Sequence, residues 1–303
     1  MAWARRNVFK IVLMLVLLAV VVTIATSSDI RIRRRAQILT WKISGDLPYL
    51  TWSELFGALL PGRWKNTAPP SGYFVREKGR GEEPCAVLWE TPQGDFWGQR
   101  TDNITLQDPR HLENYQYGPV TIRSEDVVVD IGSQIGTFTR FALGKGAGKV
   151  IAIEPDPTNN ACFKRTFENE IAEGQVILIE AALWESAGIM KFVVSSRSDA
   201  GSVASEFDPR FKASRIVDVP TVTLDDIVRT QNLARVDFIK WAIGGATRPA
   251  LRGAHQTLSR FRPRMAMLTN YSPDDPVVLP RLVLEALPSY AVLTQEVSLA
   301  YFY

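Results

Sequence analysis

Val127-Val128-Val129-Asp130-Ile131-Gly132-Ser133-Gln134-Ile135-Gly136, continued by Thr137-Phe138-Thr139-Arg140-Phe141-Ala142, decides how the rest of the chain is read. Four β-branched apolar residues broken only by Asp130 describe a strand buried on both faces, and the glycines mark a tight turn into a helix that starts near Gly136. Glycine suits such a turn because the backbone takes positive φ and a ligand can approach without meeting a Cβ. The helix start offers unpaired N–H groups, and Asp130 at the strand end can accept from a ribose or an ammonium group. Gly-x-x-x-Gly after a strand also occurs as plain strand-to-helix packing, so the turn alone leaves both readings open.

Working outward, Lys149-Val150-Ile151-Ala152-Ile153 is a second short buried strand that ends in Glu154-Pro155-Asp156-Pro157. An acid at the end of the second strand of such a unit is placed to accept from ribose hydroxyls, which strengthens the nucleotide reading. The prolines end the strand and open a helix predicted from about Thr158 to Ala172, with Pro157 tolerated in its first turn. Val176 to Ile179 is a third strand, followed by Glu180-Ala181-Ala182-Leu183-Trp184. Ile189 to Val194 is an added strand, and Ser195 to Ser205 a loop able to cover a site. Thr223 caps a helix carrying Asp225 and Asp226 in its first turn. Val236 to Trp241 and Arg264 to Thr269 are the fourth and fifth strands. Pro280 to Leu287 is helical, and Tyr290 to Thr294 with Ser298 to Tyr303 forms an antiparallel hairpin. Strands alternating with helices predict a mostly parallel sheet with helices on both faces.

The 303 residues suit one large α/β domain with appendages or two modest domains. Net charge is only +3, and aromatic residues are not interleaved with basic ones, so no nucleic-acid partner is expected. Val8 to Ala25 is an apolar run with a single charge at Lys10. A membrane helix wants roughly 20 residues and tolerates 17, so the run is read as an N-terminal transmembrane anchor. A cleaved signal peptide is the rival, given Arg5, Arg6 and the small residues Ala25-Thr26-Ser27. Arg31, Arg33, Arg34 and Arg35 outnumber Arg5, Arg6 and Lys10, which predicts a single-pass membrane protein with a cytoplasmic body. The division is therefore residues 1–28 as anchor, 29–84 as a juxtamembrane helical region and linker, and 85–303 as the main domain. That domain opens with a β-hairpin over Cys85 to Arg100, and Asp108 to Tyr117 holds a short helix whose Glu113, Tyr115 and Tyr117 face a cleft or, on the plainer reading, pack. Cys85 and Cys162 are the only cysteines and are read as reduced thiols. His111 and His255, the only histidines, are read as surface or packing residues, and no metal site is expected.

Together these pieces resemble the FkbM-type methyltransferases, a branch of the class I S-adenosylmethionine-dependent enzymes, over roughly Trp89 to Thr269. The resemblance rests on Val129 to Phe138, on Ile151 to Pro157, on Ala181-Ala182-Leu183, on Val219 to Asp226, and on Val236 to Lys240 leading to Leu251-Arg252-Gly253-Ala254. It implies an α/β, Rossmann-like fold with a mostly parallel seven-stranded sheet, helices on both faces and a C-terminal antiparallel hairpin, behind the N-terminal transmembrane helix. It implies S-adenosyl-L-methionine as cofactor. Asp130, Gly132 and Gly136 would contact its methionine part, Glu154 the ribose, and Ala181 and Ala182 the adenine side, with Gln134, Thr137 and Pro155 beside them. The implied reaction is O-methylation of a hydroxyl on a small-molecule, glycan or lipid acceptor.

One departure matters. The family writes the end of the fourth strand as Lys-x-Asp-x-Glu-Gly-x-Glu, whereas this chain reads Lys240-Trp241-Ala242-Ile243-Gly244-Gly245-Ala246-Thr247 with none of the three acids. A carboxylate at that strand end could orient a hydroxyl, take its proton or hold a metal, and Ala242 can do none of these. Losing a general base costs on the order of 10²–10⁴-fold in rate. Lys240 stays as the one catalytic candidate, Trp241 fills space, and Asp199, Glu206 or Asp208 would have to supply a replacement acid. The alternative reading is a catalytically inactive, membrane-tethered binding or scaffold protein that keeps the fold. A nicotinamide-dependent dehydrogenase is disfavoured because Gly132-x-x-x-Gly136 lacks the dinucleotide spacing.

Overall fold

The computed structural model describes residues 39–47, 52, 73–102, 110–195, 202–203, 213–272, 274–295 and 299–303. The expected anchor at residues 1–28 lies outside them. Among the described residues no helix is long and apolar enough to cross a membrane. Of the chain before Asn66, residues 39–44 are helical; Lys42 Nζ donates to the Leu47 carbonyl at 2.9 Å and stands 5.8 Å from the centre of the Trp52 ring.

The rest begins with β1 (Arg76–Arg80), β2 (Val87–Thr91) and β3 (Gly94–Gly98), then α1 (Arg110–Glu113), β4 (Val127–Ile131), α2 (Thr137–Gly144) and β5 (Lys149–Ile153). Next come α3 (Pro157–Thr166), α4 (Glu168–Ala172), β6 (Val176–Ile179), β7 (Ala182–Leu183), β8 (Gly188–Ser195), β9 (Ser202–Val203) and β10 (Ala213–Val222). The chain closes with α5 (Leu224–Thr230), β11 (Phe238–Trp241), α6 (Thr247–Arg252), α7 (His255–Phe261), β12 (Arg264–Leu268), α8 (Asp275–Ala286), β13 (Val292–Gln295) and β14 (Leu299–Phe302).

Seven strands form the main sheet in the order β13-β14-β12-β11-β4-β5-β6. The five strands from β12 to β6 run parallel, and β14 joins β12 antiparallel. Alternate strand residues face opposite sides. Val129, Ile131, Ile239, Trp241 and Met267 therefore share a buried cluster with Leu224, Ile227 and Leu258 from α5 and α7. On the other face Phe138 of α2 stacks on Phe238 at 6.3 Å between ring centres. The parallel sheet, its two helical faces and the C-terminal hairpin all match the pattern of apolar runs. β11 continues the line of β4, with Lys240 beside Asp130 and Trp241 beside Ile131. Sequence order reverses there, between the first and fourth parallel strands, and this is where open α/β sheets take their ligands.

Three expectations are corrected. The Cys85–Arg100 hairpin is two strands of a three-stranded sheet, because Arg76–Arg80, in the stretch read as linker, pairs antiparallel with β2. The single helix from Thr158 to Ala172 is broken at Phe167, whose ring packs on Phe163 at 4.5 Å. Thirdly, the two cysteines are joined in a Cys85–Cys162 disulfide, with Cα atoms 5.2 Å apart. The small sheet lies against α3: Trp97 N donates to Thr166 Oγ1 at 2.9 Å, and the Arg165 guanidinium sits 3.5 Å over the Trp97 ring. A separation of 77 residues hid that proximity from the sequence.

Closing a loop of that length restricts the unfolded chain, by an entropy estimate of about 4–5 kcal/mol. Replacing both cysteines with alanine is expected to lower urea-unfolding stability by a value of this order. An unchanged midpoint, with reduced thiols found in the native chain by alkylation, would reject the bond.

Candidate functional site

The turn after β4 is fixed by positive φ at Gly132 (+81°), Gln134 (+53°) and Gly136 (+93°). The Gly132 and Ser133 amides both donate to the Ile153 carbonyl, at 3.0 and 3.2 Å, which fastens the turn to the end of β5. A Cβ on Gly132 would stand 2.3 Å from the Ala242 carbonyl oxygen, so this glycine allows the turn to touch the end of β11. Gly136 has a different neighbour. A Cβ there would lie 2.2 Å from the Phe167 ring, and the glycine serves packing beneath the helix start.

Lys240 and Asp130 form a buried ion pair across β11 and β4, Nζ to Oδ1, at 3.0 Å. The same ammonium donates to the Gly132 carbonyl at 2.7 Å and the Ile131 carbonyl at 3.4 Å. Asp130 Oδ2 accepts from Thr139 Oγ1 at 2.8 Å. Asp130 is completely buried behind the turn and binds protein groups, and Lys240 is buried with its ammonium held by three protein acceptors.

A cavity of about 290 Å³ opens over this pair at the carboxyl ends of β4, β11 and β12. Gly132, Ser133, Gln134 and Thr137 form one wall, Lys240, Ala242 and Leu268 another, and His111, Leu112, Tyr115, Phe138 and Tyr271 the rest. Tyr115 is buried edge-on against Phe138 at 5.3 Å, and burial pushes its phenol well above the usual value. Ser133 Oγ is buried and has no hydrogen-bond partner among the described residues. Tyr115 both packs and lines the cavity, so the cleft alternative for it holds beside the packing one, while His111 and Tyr271 were not singled out for this site by their sequence neighbourhoods. Ser133 could have been, since it stands inside the glycine turn.

Glu154 ends β5 beside this cavity's turn. Its Oε2 accepts from Gln134 N at 2.9 Å, and its Oε1 from Asp156 N at 2.9 Å and Asn159 Nδ2 at 3.4 Å. A carboxylate has about four acceptor positions, so one is left for a ligand. Burial, with the Asp156 charge second, raises the Glu154 pKa to about 7. Asp156 caps α3 through Thr158 N at 2.8 Å, with Pro157 in the first turn as expected. Pro155 is half-buried beside Glu154, and Ala181 is buried after β6. Ala182 belongs to the second sheet, pairs with Thr221 and packs with Phe192 and Val219. Asp199, Glu206 and Asp208 lie outside the described residues.

A parallel sheet in this strand order, ended by an antiparallel hairpin and opened by a glycine turn at the switch point, is a Rossmann-like methyltransferase fold. A family model described as the methyltransferase FkbM domain matches residues 130–289, and the chain belongs to that family. Among solved structures it is similar to a methyltransferase FkbM from Methylobacillus flagellatus KT, with 18% identity, a TM-score of 0.46 and coverage of 65% of this chain. The match spans only half of that protein, at 50%. An rRNA methylase from Streptococcus thermophilus (14% identity, 67% and 94% coverage, TM-score 0.34) and precorrin-6y C5,15-methyltransferase from Geobacter metallireducens GS-15 (14%, 65% and 86%, 0.35) are also similar. No curated protein matches the chain in sequence.

Removing one partner of the central ion pair leaves the other charge buried, which costs about 3–5 kcal/mol. Lys240→Met and Asp130→Asn are each expected to destabilise by that amount, and the double variant by clearly less than their sum. Strict additivity in denaturant unfolding would refute the coupling.

Proposed function

We propose that this chain is an S-adenosyl-L-methionine-dependent O-methyltransferase acting on an oxygen of a small-molecule, glycan or lipid acceptor. The carrying observation is the unpartnered Ser133 Oγ, buried in a cavity wall between two positive-φ residues. A buried hydroxyl without a partner costs free energy until a ligand satisfies it. Gly132, Ser133, Gln134 and Thr137 would hold the methionine half of the cofactor, and Glu154 the ribose through its remaining acceptor position. When bound, the cofactor supplies an electrophilic methyl on a sulfonium. The chain's own contribution is alignment: a rigid turn tied to β5 and β11, and an aromatic wall that excludes water from the reacting atoms.

The reading as an inactive scaffold rests on Ala242, Gly244 and Thr247 in place of acids. Methyl transfer needs mostly proximity, and the cavity at the switch point favours the enzyme. The proposal keeps residues 1–28 as a membrane anchor. The disulfide favours an oxidising compartment for the domain over the cytoplasmic side suggested by the arginine count.

Calorimetric titration of the chain with S-adenosylhomocysteine is expected to give one-site binding, weakened about tenfold in Ser133→Ala, the loss of one buried hydrogen bond. Absence of heat from the native chain would remove the cofactor claim. Affinity should also depend on pH. The folded, ligand-free Glu154 keeps its proton up to about pH 7, while in the unfolded chain it ionises near 4.3. Its contribution to stability is thus full below about pH 4.3 and is lost as pH rises through about 7. Ribose hydroxyls donate to the ionised form, so affinity should fall about tenfold from pH 8 to pH 6, and Glu154→Gln should flatten that dependence.

A further inference from the structure

We propose that the acceptor oxygen is a carboxylate, already ionised on arrival, so that the product is a methyl ester. The inference rests on the methyl-transfer reading above and names its substrate class. An alcohol must give up its proton as it is methylated, and a carboxylate has none to give. The cavity is equipped for the second case.

Its wall at the end of β11 lacks any group suited to act as a base. Among the described residues no carboxylate lines the cavity. Gly244 has φ +58°, a conformation unfavourable to side chains, and a Cβ there would lie 3.4 Å from the Tyr271 ring, so a tyrosine covers the rim where an acid could stand. Thr247 Oγ1 donates to the Gly244 carbonyl at 3.0 Å. Lys240 spends its donors on Asp130, Ile131 and Gly132, and burial holds the Tyr115 phenol protonated.

The field has the sign an anion needs. Lys240, the cationic member of its pair with Asp130, lines the cavity, and the carboxylate is fully buried. α2, eight residues long, opens at the same wall through Thr137 and Phe138, directing its positive end inward. An acid at position 242 would repel a carboxylate acceptor, and Ala242 leaves that approach neutral.

The step balances without a proton. A carboxylate oxygen forms a C–O bond to the methyl carbon while the C–S bond breaks, its electron pair stays on sulfur, and S-adenosylhomocysteine leaves as a neutral thioether.

The test supplies the full-length chain with saturating methyl-tritiated S-adenosylmethionine and an extract of the producing cells, split by anion exchange into acidic and neutral acceptors. Label should be taken up by the acidic fraction and released by mild alkali as volatile methanol, at a rate flat between pH 6 and 9. Alkali-stable label, label from the neutral fraction alone, or no label while S-adenosylhomocysteine still binds would overturn the proposal. So would a rate that falls with the protonation of an imidazole and is lost in His111→Gln. Ala242→Asp is expected to lower ester formation about tenfold with S-adenosylhomocysteine affinity within twofold of native, and a rise would count against a charged acceptor. No binding of S-adenosylhomocysteine by the native chain would instead remove the methyl-transfer reading itself.

Discussion

The Lys240–Asp130 pair is the contact on which the site's geometry depends. Two charges withdrawn from water cost several kcal/mol each unless every donor and acceptor is met. Here each charged atom has a partner: the ammonium has Asp130 and the Ile131 and Gly132 carbonyls, and the two carboxylate oxygens have Lys240 and Thr139. Because the partners sit on the first and fourth parallel strands, the pair sets the strand ends side by side. Gly132 is thereby brought against Ala242, with room for hydrogen only.

A second layer holds the turn from below. Phe163 and Phe167 occupy the space under Gly136, and Arg140 stacks on Phe167 with its guanidinium 4.5 Å from the ring centre while pairing with Glu170 at 2.5 Å. These contacts join α2 to the two helices after β5, the strand that Glu154 directly follows. The cavity wall and the buried acid are therefore parts of one packed unit.

The main sheet was legible because its strands are short apolar runs with turns between them, and Val127 to Ile131 marked the strand that leads into the glycine turn. The acid at Glu154, the helix opened by Pro157 and the burial of Trp241 in the core followed from the same patterns, whereas the cap at Asp156 emerged only in the structure. What stayed hidden depends on contacts between distant residues. Asp130 read as a ligand group because nothing local reveals that Lys240, 110 residues away, takes its oxygen. His111 on a four-residue helix and Tyr115 in the turn after it precede the main sheet, and Tyr271 sits on a loop, so only the folded chain brings them to one cavity. The cysteines looked unrelated for the same reason, and Arg76–Arg80 looked like linker because an exposed edge strand is polar.

The disulfide also orders the history of the chain. Cys85 leaves the ribosome 77 residues before its partner, by which time β4 and β5 have already been made. The small N-terminal sheet must wait, unlocked, until α3 has been laid beside it. The bond joins the small sheet to α3 across everything made between them, and it acts as a covalent record of that docking.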